Sequence, residues 1–96
     1  MRPSEVFEQN RELIREVAAR RRTANPRIFG SVLHGTDHDG SDIDLLVDTL
    51  PGTTLFDLGG LQEELAERLG VPVQVVTPPE LSRYFREKVL SEAEPV

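Results

Sequence analysis

Two aspartates separated by one residue are the side chains of this sequence whose type and spacing most clearly suggest chemistry. Asp42 and Asp44 stand at the start of the largely apolar run 43–47. Side chains alternate across a β-strand, so a strand here would direct both carboxylates to the same face. Two carboxylates on a buried strand repel each other and are costly to desolvate, and a divalent cation removes both costs. The spacing alone also fits a solvated strand end, at which the acids hold no metal.

A Gly-Ser pair upstream of the aspartates is the second chemical feature. Gly30 and Ser31 follow residues 27–29, which we expect to form a short strand that leads into a short helix. Free backbone N–H groups at such a turn, together with the serine hydroxyl, suit phosphate oxygens, and glycine allows close backbone approach. A Gly-Ser pair by itself is usually an ordinary turn. Its combination with segment 41–45 is more specific, and we take Gly30, Ser31 and Ser41 as candidates for binding a phosphate group.

A calcium loop competes for the same acidic segment. Asp37, Asp39, Ser41 and Asp48 fall at positions one, three, five and twelve of an EF-hand loop. Asp42, however, occupies the position at which that loop needs glycine for its turn. The residues that follow it have the composition of a strand, so we exclude an EF-hand.

Both histidines lie in the region between the Gly-Ser pair and the aspartates. Either imidazole, that of His34 or that of His38, could contact a phosphate or a metal ion. Histidines in a polar segment rich in Gly, Asp and Thr are more often simply exposed. We therefore expect both to be exposed loop residues without a chemical role.

Composition limits what the chain as a whole can be. Its 96 residues suffice for one small domain, residues 1–96, with a single core. Seventeen acidic and eleven basic side chains give a net charge of −6, which disfavours direct nucleic-acid binding and favours a basic protein partner. The absence of cysteine excludes disulfides and thiolate zinc sites, and no apolar run is long enough to cross a membrane. We expect a cytoplasmic protein.

The apolar pattern predicts the elements that must hold these residues in place. Apolar side chains at helical spacing predict one amphipathic helix over residues 4–22, which Asn25 and Pro26 would end. The short strand 27–29 and the buried strand 43–47 follow, with a short helix and a polar loop between them.

Two further helices and a third strand complete the chain. A helix should begin after Thr54, with Asp57 at the capping-box position, and stop at Gly70. Residues 71–76 have the composition of a strand, and residues 77–80 contain the cap, prolines and glutamate that open a last helix. Its inner face would consist of Leu81, Tyr84 or Phe85, and Val89. The order αβ(α)βαβα predicts an α/β fold with helices packed on a small sheet.

At these motifs the sequence resembles the minimal nucleotidyltransferase (MNT) family of the DNA polymerase β superfamily. The resemblance is carried by residues 28–35, 41–48, 69–70 and 73–78. Residues 81–93 are similar to a subgroup of small free-standing antitoxins that are encoded beside HEPN-domain toxins. The resemblance implies a polymerase-β-type core, in which helices pack on a small mixed sheet.

The same resemblance implies an activity and a partner. It implies transfer of AMP from ATP to a tyrosine of a partner HEPN ribonuclease toxin, with release of pyrophosphate, and this adenylylation would silence the toxin. Gly30 and Ser31 would bind the terminal phosphates of ATP, while Asp42 and Asp44 would hold Mg²⁺. The implied assembly is a hetero-oligomer of this chain with the toxin.

One residue departs from the family pattern. The family has a third carboxylate on the following strand, and this sequence has Gln74 there. An amide offers one neutral oxygen but cannot take a proton or balance a second Mg²⁺. Two hypotheses stay open: an adenylyltransferase that uses Asp42, Asp44 and Gln74, or a weakened family member that neutralises its toxin by binding alone. Transfer to RNA or to a small alcohol such as an aminoglycoside fits less well, because 96 residues leave no second domain for such an acceptor.

Overall fold

The computed structural model describes residues 1–96 and contains five α-helices and four β-strands. In chain order these are α1 (Pro3–Gln9), α2 (Arg11–Arg20), β1 (Thr23–Phe29), α3 (Gly30–His34), β2 (Ile43–Thr49), α4 (Leu55–Leu69), β3 (Val73–Val76), α5 (Arg86–Glu92) and β4 (Glu94–Pro95). A 3-10 turn at Pro78–Glu80 lies between β3 and α5. No helix is long and apolar enough to cross a membrane. The predicted α/β class is confirmed.

The strands form one mixed sheet in the order β3-β2-β1-β4. β2 and β3 are parallel, whereas β1 pairs antiparallel with both β2 and β4. Ile43, Leu45 and Val47 belong to the main apolar cluster, which also contains buried side chains of α1, α2 and α4. Because side chains alternate along a strand, Asp44 and Leu46 project from the opposite face of β2. That second face carries the candidate site.

The N-terminal helix expected over residues 4–22 is interrupted at Asn10, so the prediction of one helix is wrong. The Asn10 side-chain amide donates to the carbonyl of Val6 at 2.8 Å, and its backbone N–H donates to the carbonyl of Phe7. Its backbone, at φ −128° and ψ 20°, leaves the helical region. Asparagine often breaks helices in this way, because its amide competes for backbone groups. Both halves nevertheless bury apolar residues in the core.

β1 is longer than the strand expected at 27–29, and it includes the Asn25-Pro26 pair that the sequence suggests as a helix end. The register between β1 and β2 shifts between Ala24 and Arg27, and Asn25 has a φ of +51°. A bulge leaves backbone groups outside the ladder, so it tolerates proline, which has no N–H to donate. Asparagine is also among the residues that adopt positive φ most readily. The pair therefore bends the strand instead of ending the helix.

α4 matches its prediction at both ends. Thr54 Oγ1 accepts the backbone N–H of Asp57, and the Asp57 carboxylate accepts the N–H of Thr54 at 2.9 Å. Gly70 ends the helix in the left-handed conformation, at φ +72°. Inside the helix, a Cβ at Gly60 would overlap the guanidinium of Arg21. Glycine is unfavourable inside a helix, but at this position it provides room for an arginine from α2.

The last helix begins at Arg86, not directly after Thr77 as predicted. The Thr77 N–H donates to the Glu80 carboxylate at 2.8 Å, which is the expected cap, but only the 3-10 turn follows. Arg86 Nη2 donates to the carbonyls of Pro79 and Leu81 at 3.1 and 2.8 Å. These bonds occupy two carbonyls that a continuous helix would have used, so the chain can stay irregular here.

The predicted inner face of the last helix is also wrong in part. Tyr84 and Phe85, expected on an inner helix face, are 78% and 62% exposed, whereas Leu81 and Val89 are half-buried. β4, which was not predicted, pairs with Arg27 and Ile28 of β1. A strand of two residues is too short to leave a periodic signal in the sequence.

Candidate functional site

Three side chains form a row across the second face of the sheet. Phe29 of β1 lies opposite Asp44 of β2, and Asp44 lies opposite Gln74 of β3. Directly opposed residues on neighbouring strands are close enough for their side chains to interact. The sequence analysis expected Gln74 on the strand next to the aspartates, and the register places it beside Asp44. Asp42 lies one residue before β2 and is exposed, while Asp44 is half-buried.

The turn after β1 contacts this row directly. Gly30 is the first residue of α3 and has a φ of +74°, a conformation that favours glycine. A Cβ at this position would overlap Oδ2 of Asp44. Only glycine therefore lets the turn and the carboxylate approach so closely, and the proposed phosphate-binding turn and metal ligand lie side by side.

The electrostatics of Asp44 fit a cation site. Burial raises the pKa of the Asp44 carboxyl to about 6, and the negative charge of Asp42 adds to the rise. At neutral pH the carboxyl is ionised in surroundings that disfavour its charge. A bound cation would offset both causes, because it replaces lost hydration and screens one carboxylate from the other.

The donor set suits one magnesium ion better than two. Asp42 and Asp44 supply carboxylate oxygens, and Gln74 supplies a neutral amide oxygen, all of the hard oxygen type that Mg²⁺ prefers. No group of three or more acidic, histidine or cysteine side chains is arranged to hold a metal. A second ion would therefore lack the third negative ligand.

The two serines that are candidates for phosphate binding occupy different surroundings. Ser31 is the second residue of α3, where backbone N–H groups have no partner inside the helix. Ser41 lies in the loop before Asp42, and its Oγ accepts the backbone N–H of His38 at 3.0 Å. Its own N–H donates to the His38 carbonyl at 2.9 Å. Ser41 thus holds the loop that leads into the aspartates, and its contact with a nucleotide stays a prediction.

Asp37 has a structural role that the sequence did not indicate. Its buried carboxylate accepts the backbone N–H of Ser4 at 2.8 Å and a bond from Arg2 Nη2 at 3.0 Å. Burial would raise the pKa of this carboxyl, but the hydrogen bonds from Ser4 and the charge of Arg2 hold it below its usual value. The residue that would open a calcium loop instead ties the loop to the first turn of α1. The sequence carries no signal of this role, because both partners of the carboxylate, Arg2 and Ser4, lie far from Asp37 in the sequence.

Both histidines are exposed, as expected, but only His38 lies in the loop, because His34 is the last residue of α3. His38 Nδ1 lies 2.9 Å from the carbonyl oxygen of Asp39, within the same loop. His34 Nε2 lies 3.1 Å from Oε2 of Glu92, which joins the end of α3 to the end of α5. Neither imidazole belongs to the row of Phe29, Asp44 and Gln74.

In sequence and in fold the chain is similar to nucleotidyltransferases. Residues 10–96 match the family described as nucleotidyltransferase domain. A candidate protein adenylyltransferase of Methanocaldococcus jannaschii is 39% identical over 66 residues, which cover 69% of this chain and 71% of that protein. The solved structure of a candidate minimal nucleotidyltransferase superposes with a TM-score of 0.86 at 39% identity, over 97% of this chain and 95% of the other. A solved toxin-antitoxin structure with AMP-PNP superposes with a TM-score of 0.72 at 26% identity, over 90% of this chain and 71% of the other.

Proposed function

Because this chain belongs to the nucleotidyltransferase domain family, and within it resembles the minimal nucleotidyltransferases along nearly its whole length, we propose that it is an adenylyltransferase antitoxin. It transfers AMP from ATP, with Mg²⁺, to a tyrosine of a partner HEPN-domain ribonuclease toxin and thereby neutralises that toxin. The observation that carries the proposal is the contact of Gly30 with Asp44. This contact brings the proposed phosphate-binding turn against a carboxylate whose negative charge is unfavourable without a cation.

The chain supplies binding and orientation. Asp42 and Asp44 hold the metal, and the backbone N–H groups of the turn together with the Ser31 hydroxyl hold the terminal phosphates. The magnesium ion, when bound, neutralises the triphosphate and stabilises charge on the leaving oxygen. Because Gly30 has no side chain, a triphosphate bound at this turn would lie next to Asp44.

The reaction forms one bond and breaks one. The acceptor tyrosine oxygen bonds to the α-phosphorus, the bond from that phosphorus to the bridging oxygen breaks, and pyrophosphate leaves with the bond electrons. The phenolic proton must pass to a base. Gln74, beside Asp44, has no basic site and cannot take it, so solvent is the remaining acceptor at this position. We therefore expect slow transfer compared with relatives that have a third carboxylate.

A second function is favoured by the same residue. If Gln74 reduces transfer to a negligible rate, the chain retains nucleotide binding at Asp42 and Asp44 and neutralises its toxin by covering it. The likeness to one chain of a toxin-antitoxin structure fits either function. The net charge of −6 suits a basic ribonuclease as the partner in both cases.

The test is the intact mass of the HEPN toxin after incubation with this protein, ATP and Mg²⁺. The proposal expects a gain of one or more AMP units on the toxin, and none with the double variant Asp42→Asn/Asp44→Asn or without Mg²⁺. A toxin that is inhibited at unchanged mass would establish the binding-only function instead. A toxin that is neither modified nor inhibited would refute both.

A further inference from the structure

The segment that crosses the second face of the sheet is residues 81–93, which we name the C-terminal strap. It connects β3 at one edge of the sheet to β4 at the other edge. The 3-10 turn just before it packs against β2. Leu46 is fully buried although it is not part of the main apolar cluster, so it is covered from the second face. The strap therefore lies on the same side of the sheet as Asp44.

The end of the strap reaches the candidate site. Glu92, near its end, lies 3.1 Å from Nε2 of His34, the last residue of α3. α3 begins at Gly30, and a helix rises 1.5 Å per residue, so this contact lies roughly 6 Å along the axis from the Gly30 turn. The end of the strap therefore lies near the turn whose Gly30 contacts Asp44.

The strap exposes its apolar side chains to an unusual degree. Tyr84, Phe85 and Leu90 are 78%, 62% and 40% exposed, and α5 contains no buried residue. A fully exposed aromatic side chain buries roughly 150–250 Å² when covered, and these three side chains are already partly covered. Together they provide about half of the roughly 800 Å² that one partner contributes to a stable complex. An apolar patch of this extent on a small protein is typical of an interaction surface.

Cations accompany these side chains although the chain as a whole is acidic. The Arg83 guanidinium lies over the Tyr84 ring at 5.0 Å and donates to the Tyr84 hydroxyl at 3.1 Å, without a carboxylate partner. Lys88 is 74% exposed, and its nearest carboxylate, that of Glu92, is 4.0 Å away. Arg83 is therefore free to pair with an acidic side chain of another molecule, and Lys88 is held only by a long ion pair within its own helix.

We propose that the C-terminal strap is the surface on which the acceptor protein docks, through an apolar patch of the acceptor bordered by acidic side chains. The inference rests on the proposed function for the identity of the acceptor. Docking on the strap brings an acceptor side chain to Asp44 without a conformational change, because strap and carboxylate share one face. An acidic border is compatible with an acceptor that is basic elsewhere.

A second exposed apolar pair provides a matched control. Leu55 and Phe56, the first two residues of α4, are 85% and 90% exposed. They follow the far end of β2, and a strand rises about 3.3 Å per residue, so Asp44 lies roughly 20 Å away. A partner bound there would not present a hydroxyl to the carboxylates.

The experiment compares Tyr84→Ala/Phe85→Ala with Leu55→Ala/Phe56→Ala. Binding of each to the HEPN toxin is measured by calorimetry, and AMP transfer is measured against toxin concentration at saturating ATP and Mg²⁺. We expect the strap variant to bind at least tenfold more weakly and to show a raised KM for the toxin with little change in kcat, while the control matches the parent. Arg83→Glu, a change to an exposed side chain, should also weaken binding and serves as the test if the double variant unfolds.

The possible results separate this inference from the proposed function. Transfer that is equal in the parent and both strap variants would overturn the docking surface and leave the activity intact. A loss of binding confined to the strap variants, without transfer by the parent, would support the surface and refute the activity. A loss confined to the control, or a parent that does not bind the toxin, would overturn the docking surface.

Discussion

Gln74 lies directly opposite Asp44 on the neighbouring parallel strand, so the residue that departs from the family pattern is paired in register with the carboxylate that best fits a metal. An amide there leaves Asp42 and Asp44 to hold one ion and supplies no base. Because Val73 and Val75 point to the core side, a shorter carboxylate at residue 74 would still face Asp44.

The substitution Gln74→Asp should therefore raise AMP transfer to the toxin by at least an order of magnitude, since a second metal ligand and a proton acceptor each contribute roughly a hundredfold in comparable sites. The measurement is transfer of labelled AMP at saturating Mg²⁺. The free energy of unfolding should fall slightly in EDTA and recover with Mg²⁺. A fully active parent that gains nothing would show that residue 74 does not take the third-carboxylate position.

The substitution Gly30→Ala should weaken binding of Mg²⁺ and ATP and lower the free energy of unfolding, because its Cβ would displace the Asp44 carboxylate. Gly35→Ala is the matched control: Gly35 has nearly the same φ, +71° against +74°, but a Cβ there meets no atom within 4 Å. Both changes introduce backbone strain of about 1–2 kcal/mol. Only Gly30→Ala should also reduce nucleotide affinity in calorimetry. Equal effects of the two changes would mean that the Gly30 contact has no role in the site.

The substitution Ser31→Ala should weaken ATP binding by about 1.5–3 kcal/mol, the contribution of one charge-assisted hydrogen bond, with a smaller effect on AMP. Calorimetric titration with each nucleotide in Mg²⁺ provides the comparison. An equal loss for ATP and AMP would identify Ser31 as a structural residue of α3 and remove it from the phosphate site.

The pH dependence of stability should change with Asp44→Asn. The pKa of Asp44 is raised to about 6 from its ordinary 3.8, so the folded state binds a proton more tightly than the unfolded state does. Stability from this group is therefore greatest below about pH 4 and falls as the pH rises to about 6. In EDTA, the parent should lose stability relative to Asp44→Asn over this window. Urea denaturation of both proteins at several pH values gives the difference in stability, in which the contribution of Asp37 cancels. A constant difference would contradict the raised pKa.

The sequence predicted the fold class and several local signals better than it predicted the boundaries of the elements. Asp42 and Asp44 were recognisable because two acids on one strand face are costly without a cation, and the cap at Thr54 and the stop at Gly70 are local signals. These features depend on residues close together in the sequence. Gln74 is different, because alternation predicts only the face of its own strand, and its place beside Asp44 depends on the pairing of β2 with β3.

Features that leave no mark on the apolar pattern of the sequence could not be predicted. Asn10 ends α1 through a side-chain bond that a periodic apolar pattern does not reveal. Pro26 fits β1 only because the pairing with β2 is bulged. The carboxylate of Asp37 is committed to Arg2 and Ser4, more than thirty residues away. In the C-terminal strap, bonds from Arg86 to two carbonyls replace the helix that the cap at Thr77 suggests.

The most direct test is calorimetric titration of ATP, with and without Mg²⁺, into the parent, Asp42→Asn and Asp44→Asn. We expect the parent to bind ATP in a Mg²⁺-dependent manner and each variant to lose that dependence while it stays folded by circular dichroism, because the removed charges are needed only when the metal is present. Unchanged Mg²⁺-dependent affinity in both variants would contradict the assignment of Asp42 and Asp44 as the metal ligands.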